Sequence, residues 1–455
     1  MIAVVFIGVL LAVAVGLAFN GAATDLPISE ILVLCGLFAA FFGAGVYIAA
    51  TLGILGLLAG LAFSSRPFWL FLGEIAWTTT TNYVLIAMPL FLLMGEILLR
   101  AGISDRLYKA LGLWMNRVPG GLLHTNIMSC ALFSAISGSS IATAATMGSV
   151  ALPYFEKTNY DRRMVLGSLA AGGALGNLIP PGITFIIYAL LTNTSVGKLY
   201  LAAVGPGLLV TVLFLAYIFV KGLRGPRMDA PKVPLLVKLL GLVDLVPTLA
   251  LGLVVLGSMY GGLATPTEAA ALGAVAAVVF AALAGKFNLR MLHESALATA
   301  RNTALVGLIL ISAFLLNYVL TSLDVPRLVA GFVTGLPLPA WALMAMIIGL
   351  YFALGTFMEG FSMIITTIPV VFPIVTALGY DAVWFGVIVT MLIEIALITP
   401  PDGTVMYVLQ GLRRPSGPIT DIFAGVTPFV ALYVAAVVLL VVFPSIALWL
   451  PSLQD

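Results

Sequence analysis

The feature that most constrains this chain is a set of residues that recurs 220 positions later without a gap. The first copy is Pro153, Tyr160, Asp161, Pro180, Pro181, Thr184 and Gly205, and the second is Pro373, Tyr380, Asp381, Pro400, Pro401, Thr404 and Gly425. A Pro-Pro step inside an apolar run breaks a helix, because proline has no N–H and clashes with the preceding turn. Two broken membrane helices at corresponding places are typical of a secondary transporter with a binding site near the membrane midplane.

The composition identifies the class of protein. Of 455 residues, 62% are hydrophobic and only 8% are charged, and the mean hydropathy is +1.19. Apolar runs long enough to cross a bilayer recur from end to end, which predicts an all-α polytopic membrane protein with little soluble mass. The absence of a basic patch argues against nucleic acid as a partner. No catalytic, metal-binding or ATP-binding motif is present, so we expect neither an enzyme nor an ATP-driven pump.

The apolar runs predict six segments. We expect an extra N-terminal transmembrane helix in 1–27, scaffold helices with a first arm helix in 28–119, and a first transport repeat in 120–198. Scaffold helices with a second arm helix follow in 199–339, then a second transport repeat in 340–411 and a C-terminal transmembrane helix in 412–455.

Each predicted repeat combines a hairpin with a broken helix. The hairpins span 120–155 and 340–376, and the broken helices span 163–192 and 382–410. Neither hairpin run has a polar turn at its centre, where the residues are Ser-Gly-Ser-Ser at 137–140 and Phe-Met-Glu-Gly at 357–360. We therefore expect re-entrant hairpins that turn near the midplane, which membranes tolerate only where protein, ions or water supply hydrogen-bond partners.

The basic residues predict the orientation of the repeats. If each hairpin counts as no crossing and each broken helix as one, 17 of the 20 Lys and Arg fall on one face. That face should be cytoplasmic. The first hairpin then opens to the cytoplasm and the second to the outside. The repeats are thus inverted, as alternating access requires.

The first tip and break offer oxygen ligands for a small cation. Pro180 and Pro181 leave carbonyls about one turn upstream without donors, and the tip at 137–140 adds serine hydroxyls. These oxygens suit Na⁺, although the serines and glycines could serve only to let helices approach closely.

The second copy adds acids to the same pattern. Glu359 lies at the second tip and Asp402 beside the second break, with Thr356 and Thr399 nearby. An ionisable residue at membrane depth is a functional hypothesis by default, the alternative being a protonated or locally paired structural acid. Glu394 is also intramembrane; its role stays open, with a structural hydrogen bond as the default.

Four segments together resemble a known family, the large membrane (M) subunit of tripartite ATP-independent periplasmic (TRAP) transporters, within the ion transporter superfamily. The segments are FSAISGSSIATAATMGSVALP (133–153), ALGNLIPPGITFIIYA (174–189), LGSMYGGLATPTEAAALGA (256–274) and ITPPDGTVMYV (398–408). The resemblance implies an elevator-type importer in the bacterial inner membrane. It further implies a small four-helix Q subunit, a periplasmic substrate-binding protein, an organic-acid substrate such as a dicarboxylate, Na⁺ as the coupling ion and no other cofactor.

The resemblance also implies site residues. Cations should bind at Ser137, Gly138, Ser140, Gly176, Asn177, Ile179 and Pro180, and at Gly355, Thr356, Glu359, Gly360, Thr399, Pro400 and Gly403. Substrate should bind at Ser139, Asn177, Thr184 and Thr404. The chain departs from the usual pattern at Glu359, Gly182 and Asp402.

The sequence therefore predicts the M subunit of a Na⁺-coupled organic-acid importer. The alternative is a stand-alone transporter of the same superfamily, coupled to protons or Na⁺. A passive channel and a membrane-embedded enzyme are more distant alternatives.

Overall fold

The computed structural model describes residues 28–63, 69–156, 158–224, 233–401 and 403–453. Those residues form helices and connecting turns with no strand among them, which confirms the all-helical class. Within them, seven helices are long and apolar enough to cross a membrane: Tyr83–Arg100, Val196–Arg224, Leu235–Tyr260, Pro266–Leu283, Leu289–Ser322, Gly360–Ala377 and Thr420–Val442. The helix predicted within 1–27 lies outside the described residues.

The remaining helices are shorter. In chain order they are Ile28–Gly43, Ile48–Phe63, Trp69–Thr80, Ile103–Met115, Leu122–Ser137, Ser140–Phe155, Arg162–Gly173, Ile183–Thr192, Val325–Thr334, Ala340–Gly355, Ala382–Leu397, Thr404–Leu412 and Ser445–Leu448. Both predicted hairpin runs thus consist of two helices with a turn at the predicted place. Both Pro-Pro runs consist of two helices separated by the prolines.

The apolar, glycine-interrupted run at 28–60 is divided between two helices. Ile28–Gly43 ends just before Gly45, whose φ of +73° lies in the left-handed region, and Ile48–Phe63 follows. A residue in this conformation cannot continue a right-handed helix, and glycine adopts it without a steric penalty.

The chain divides into two compact units. The first comprises residues 28–82 of the described chain, 302–344 and 365–380. Its core is a cluster of Leu34, Leu55, Ala59 and Val319. Gly56 contacts the backbone of Leu316, so the missing side chain allows two helices to approach closely.

The second unit comprises residues 83–301, 345–364 and 381–453 of the described chain, and small residues set its helix crossings as well. A Cβ at Gly167 would overlap the backbone of Gly425, and a Cβ at Gly425 would overlap the carbonyl of Arg163. Helices Arg162–Gly173 and Thr420–Val442 therefore cross in backbone contact.

The repeated Tyr-Asp pair has a local explanation in helix capping. The Asp161 carboxylate accepts a hydrogen bond from the N–H of Arg163 at 3.0 Å, and the Asp381 carboxylate accepts one from the N–H of Trp384 at 2.8 Å. Each aspartate is the N-cap of a broken helix and satisfies a donor that the first turn leaves free. The sequence at 265–268 likewise forms the capping box that its Thr-Pro-Thr-Glu order predicts.

Candidate functional site

The first broken helix interrupts its hydrogen bonding at the two prolines. Helix Arg162–Gly173 ends, a loop carries the cis-linked Pro180 and Pro181, and helix Ile183–Thr192 continues. Proline removes the donor that would reach the carbonyl four residues earlier. Among the described residues no backbone N–H donates to the carbonyl of Gly176 or Asn177, four residues before each proline. The freed carbonyls predicted from the sequence are therefore present.

The tip of the first hairpin reaches this break. Helix Leu122–Ser137 ends at Gly138, whose φ is +60°, and Ser139 caps the next helix by accepting from the N–H of Ala142 at 3.4 Å. The Gly138 carbonyl accepts a hydrogen bond from the N–H of Ile183 at 3.1 Å. The tip is thus joined to the start of the resumed helix.

Gly176, which precedes the two prolines, also contacts the tip of the first hairpin. A Cβ there would overlap the backbone of Ser140 and Ser139. Ser139 and Ser140 of the tip and Gly176 of the break therefore meet in direct backbone contact.

Three buried polar side chains connect this contact to the second broken helix. Ser140 Oγ donates to Glu394 Oε2 at 2.6 Å, and Asn177 Nδ2 donates to Glu394 Oε1 at 2.9 Å. Ser140 Oγ also accepts from the backbone N–H and the Nδ2 of Asn177, both at 3.0 Å. All three residues are buried, with Asn177 the most accessible at 3%.

The network leaves a defined set of oxygens available. Ser140 Oγ donates once and accepts twice, which uses the full capacity of a hydroxyl. Asn177 directs both amide hydrogens to acceptors, so its Oδ1 faces away from them. Among the described residues, Asn177 Oδ1 and Thr184 Oγ1 are buried without a hydrogen-bond partner. Asn177 Oδ1 and the free carbonyls of residues 176 and 177 can coordinate a cation or accept hydrogen bonds from a ligand, and Thr184 Oγ1 offers a further oxygen at the start of the resumed helix.

Glu394 was not predicted as a site residue, although a structural hydrogen bond was its default interpretation. The structure supports that bond and gives it two partners, Ser140 and Asn177. The carboxyl group is fully buried, and within the described chain no Lys or Arg pairs with it. The available signal was an ionisable residue inside an apolar run.

The second tip repeats the capping of the first with a different residue. Glu359 Oε2 accepts from the N–H of Ser362 at 3.0 Å and from its hydroxyl at 3.1 Å. Ser139, 220 positions earlier, accepts from the N–H three residues ahead in the same way. Glu359 therefore organises the start of helix Gly360–Ala377, one of the roles that the sequence left open for it.

The second tip lies against the helix that precedes the second break. A Cβ on Gly355 would meet the side chain of Ala396 at 2.7 Å, and one on Gly360 would meet Ile393 at 2.5 Å. Thr356 donates to the carbonyl of Ala353 at 2.7 Å, which leaves the lone pairs of its hydroxyl oxygen for another partner.

At the second break, Thr399 supplies hydrogen bonds to carbonyls of the helix that precedes the prolines. Thr399 donates to the carbonyl of Ile395 at 2.6 Å, and the N–H of Thr399 donates to the carbonyl of Ala396 at 3.1 Å. Pro400 and Pro401 are joined by a cis bond, Gly403 has a φ of +39°, and Thr404 begins the resumed helix. Asp402 lies outside the described residues.

Comparisons with known proteins identify the family. The family model described as the tripartite ATP-independent periplasmic transporter, DctM component, matches residues 3–446. The chain belongs to this family. It is similar to the C4-dicarboxylate TRAP transporter large permease protein DctM of Pseudomonas aeruginosa, with 33% identity over 88% of this chain and 94% of the relative. It is also similar to the sialic acid TRAP transporter large permease protein SiaM of Vibrio cholerae, with 30% identity over 90% and 93%.

A solved structure supports the fold of this TRAP large permease. The YdaH transporter of Alcanivorax borkumensis matches with a TM-score of 0.60 and 16% identity, over 90% of this chain and 98% of that one. At this identity the likeness concerns the fold alone. The predicted membership in the TRAP large-permease family is confirmed, and the relatives are named as permeases rather than enzymes.

Proposed function

We propose that this chain is the large membrane subunit of a Na⁺-coupled importer of organic acids. It works with a small four-helix membrane subunit and a periplasmic binding protein in the bacterial inner membrane. Family membership supports the tripartite assembly, and the C4-dicarboxylates and sialic acid named for relatives support an acidic substrate.

One observation carries the proposal: the buried polar site formed by Ser140, Asn177 and Glu394 at the first break. Its unpartnered oxygens, Asn177 Oδ1 and the carbonyls of residues 176 and 177, are the hard neutral ligands that Na⁺ prefers. Buried oxygens without donors are costly, and a bound cation removes that cost. Binding of a cation should therefore stabilise the folded protein.

Charge supports a cation at this place. A buried carboxyl group without a basic partner must carry a proton or lie near a cation. With Na⁺ on the free oxygens of Asn177, the Glu394 carboxylate has a countercharge one side chain away. A neutralised site then accepts an organic anion and crosses the bilayer at lower electrostatic cost.

Substrate binds close to the first resumed helix in this proposal. Thr184 Oγ1 is also buried without a partner among the described residues, one turn beyond the prolines, and a threonine hydroxyl can donate to a carboxylate. Thr404 starts the corresponding helix of the second half.

The two hairpins and two broken helices move as a block in this proposal, which is the elevator mechanism.

Transport measurements in proteoliposomes test the proposal. The chain is reconstituted with its small subunit and binding protein, and a panel of C4-dicarboxylates, sialic acid and other organic acids identifies a transported substrate. Replacing external Na⁺ by choline should then abolish uptake. Uptake that survives in choline and follows a pH gradient would favour the stand-alone, proton-coupled alternative. Uptake that never exceeds the equilibrium level would favour a channel.

A matched pair of variants tests the residue assignment. Asn177→Ala should raise the Na⁺ concentration for half-maximal uptake, because it removes Oδ1 and both bonds of the amide. Asn159→Ala changes an exposed asparagine in the segment between helices Ser140–Phe155 and Arg162–Gly173, and it should leave this concentration unchanged. Equal Na⁺ dependence in the two variants would contradict the proposed cation site.

A further inference from the structure

A basic cavity lies in the second unit, away from the network of Ser140, Asn177 and Glu394. Three parts of the chain line this cavity: the end of the first hairpin, the start of the first broken helix and the loop that follows the second broken helix. The lining residues are Leu152, Phe155, Glu156, Thr158, Tyr160, Arg162, Val165, Leu166, Arg413 and Arg414. In the sequence, the three arginines of this lining serve only to assign the cytoplasmic face of the membrane.

Three arginines and one acid line this cavity, so its net charge is positive. Arg162 and Arg414 are exposed, and among the described residues neither has an ion-pair partner. Glu156 is the acid on the lining, and it too is exposed. The cavity therefore presents two free guanidinium groups, which favour a phosphate group over a neutral ligand.

Arg413 is the lining arginine that is buried and held in a fixed position by hydrogen bonds. It is only 7% exposed, and its two Nη atoms donate to the carbonyl of Pro418 at 2.9 Å and to the carboxylate of Asp421 at 2.8 Å. Its Nε is buried and has no partner among the described residues. Asp421 also pairs with Arg163, at 3.3 Å, so its charge is shared between two arginines. An unpaired donor on a fixed, buried guanidinium points to an acceptor supplied by a ligand.

Part of the cavity lining is apolar. Leu152, Phe155, Val165 and Leu166 belong to the two helices that the polar residues connect. The cavity has a volume of about 70 Å³, several times the roughly 10–15 Å³ that one water molecule needs. A ligand that carries an anionic group on an apolar body matches both the basic and the apolar residues of this lining.

We propose that this cavity binds the phosphate group of an anionic membrane lipid. Arg162 and Arg414 would contact the phosphate oxygens, and Arg413 Nε would donate the third hydrogen bond. The lipid's glycerol and first methylenes would lie against Leu152 and Phe155. Because the cavity joins the first hairpin to both broken helices, a bound lipid would tie these elements together at the face that carries most of the basic residues.

Thermal unfolding of the full chain in detergent tests the proposal. The probes are a short-chain phosphatidylglycerol, the matching phosphatidylcholine and inorganic phosphate. Phosphatidylglycerol should raise the unfolding temperature of the unsubstituted protein, and phosphatidylcholine should not. In the double variant Arg162→Gln and Arg414→Gln, the phosphatidylglycerol concentration for half the maximal shift should rise roughly tenfold or more.

The control has the same change in charge. Arg106→Gln combined with Arg301→Gln removes two exposed arginines outside the cavity and should leave the lipid response unchanged. Arg413 is not substituted, because its ion pair with Asp421 supports the fold. An equal lipid response in the two double variants would overturn the proposal. So would a response to inorganic phosphate as large as that to phosphatidylglycerol, since it would assign the cavity to a free anion.

Discussion

The hydroxyl of Ser140 makes three hydrogen bonds that connect three separate segments of the chain. Ser140→Ala removes all three and leaves Glu394 with only the amide of Asn177. A hydrogen bond to a charged group contributes about 1.5–3 kcal/mol and one between neutral groups about 0.5–1.5 kcal/mol, with incomplete additivity. We expect Ser140→Ala to lower the unfolding temperature measurably and to reduce uptake at least tenfold.

Ser134→Ala is the matched control for this variant. Ser134 is equally buried in the same hairpin, but its hydroxyl donates only to the carbonyl of Cys130 in its own helix, at 2.7 Å. It should therefore unfold and transport like the unsubstituted protein. Comparable losses in both variants would mean that any missing hydroxyl in this hairpin is harmful, and the network would have no special role.

Glu394→Gln tests charge separately from shape. The side-chain oxygen of glutamine can still accept a hydrogen bond from Ser140 or from Asn177. Its NH₂ group would face the other of these two donors and find no acceptor, because Ser140 Oγ already accepts two hydrogen bonds. Loss of the negative charge should raise the Na⁺ concentration for half-maximal uptake roughly tenfold or more. The measurement is initial uptake against Na⁺ at fixed substrate. An unchanged Na⁺ dependence with a lower maximal rate would show that Glu394 only supports the structure.

The free carbonyls of the first break can be predicted from the sequence more readily than the contact that links the break to the second half. Proline chemistry acts over four residues, so the free carbonyls of Gly176 and Asn177 could be predicted from Pro180 and Pro181 alone. The contact from Glu394 to Ser140 spans 254 positions, and no local pattern indicates it. The repeat itself does not help, because the residue 220 positions before Glu394 is Ala174.

At the scale of elements, the contact between the first tip and the first break depends on Gly176. Gly176→Ala places a Cβ into the backbone of Ser140. Overpacking of this kind costs about 1–3 kcal/mol, and here the obstacle is backbone, which moves less easily than a side chain. We expect a lower unfolding temperature and loss of uptake.

Gly252→Ala provides the comparison. Gly252 lies within helix Leu235–Tyr260, and a Cβ added there would have no atom within 4 Å apart from the nearby backbone of its own helix. Alanine in an open helical position should be neutral or stabilise by about 0.5–1 kcal/mol. If both variants unfold alike, the tip of the first hairpin does not rest on the break in the folded protein.

Elements were predicted well where their causes are local. The Pro-Pro breaks and the capping box at 265–268 each depend on a few neighbouring residues. The aspartate caps at 161 and 381 have equally local causes, but in the sequence the Tyr-Asp pair serves only to mark the repeat. The break near Gly45 was harder to place, because a glycine within a hydrophobic run can continue a helix or end one. The repeat does not predict which residue caps each tip. Ser139 accepts from the N–H three residues ahead with a hydroxyl, and Glu359 does so with a carboxylate.

At the scale of the whole molecule, family membership confirms the transporter class, while the inverted orientation of the repeats remains a prediction from charge. It follows from 17 of the 20 Lys and Arg lying on one face when each hairpin counts as no crossing. The prediction requires the first hairpin to open to the cytoplasm and the second to the periplasm. It concerns sidedness, which can be measured without knowing the substrate.

Cysteine labelling at matched positions measures that sidedness. In a background with Cys35→Ser and Cys130→Ala, single cysteines replace Asn159, after the first hairpin, and Ala377, at the end of the second; both residues are exposed. A membrane-impermeant maleimide added to spheroplasts should label Ala377→Cys, and should label Asn159→Cys only after lysis. Labelling of both from the same side would mean that one hairpin crosses the bilayer. The basic residues would then be scattered over both faces, and the two repeats could not be inverted copies that exchange access to one site.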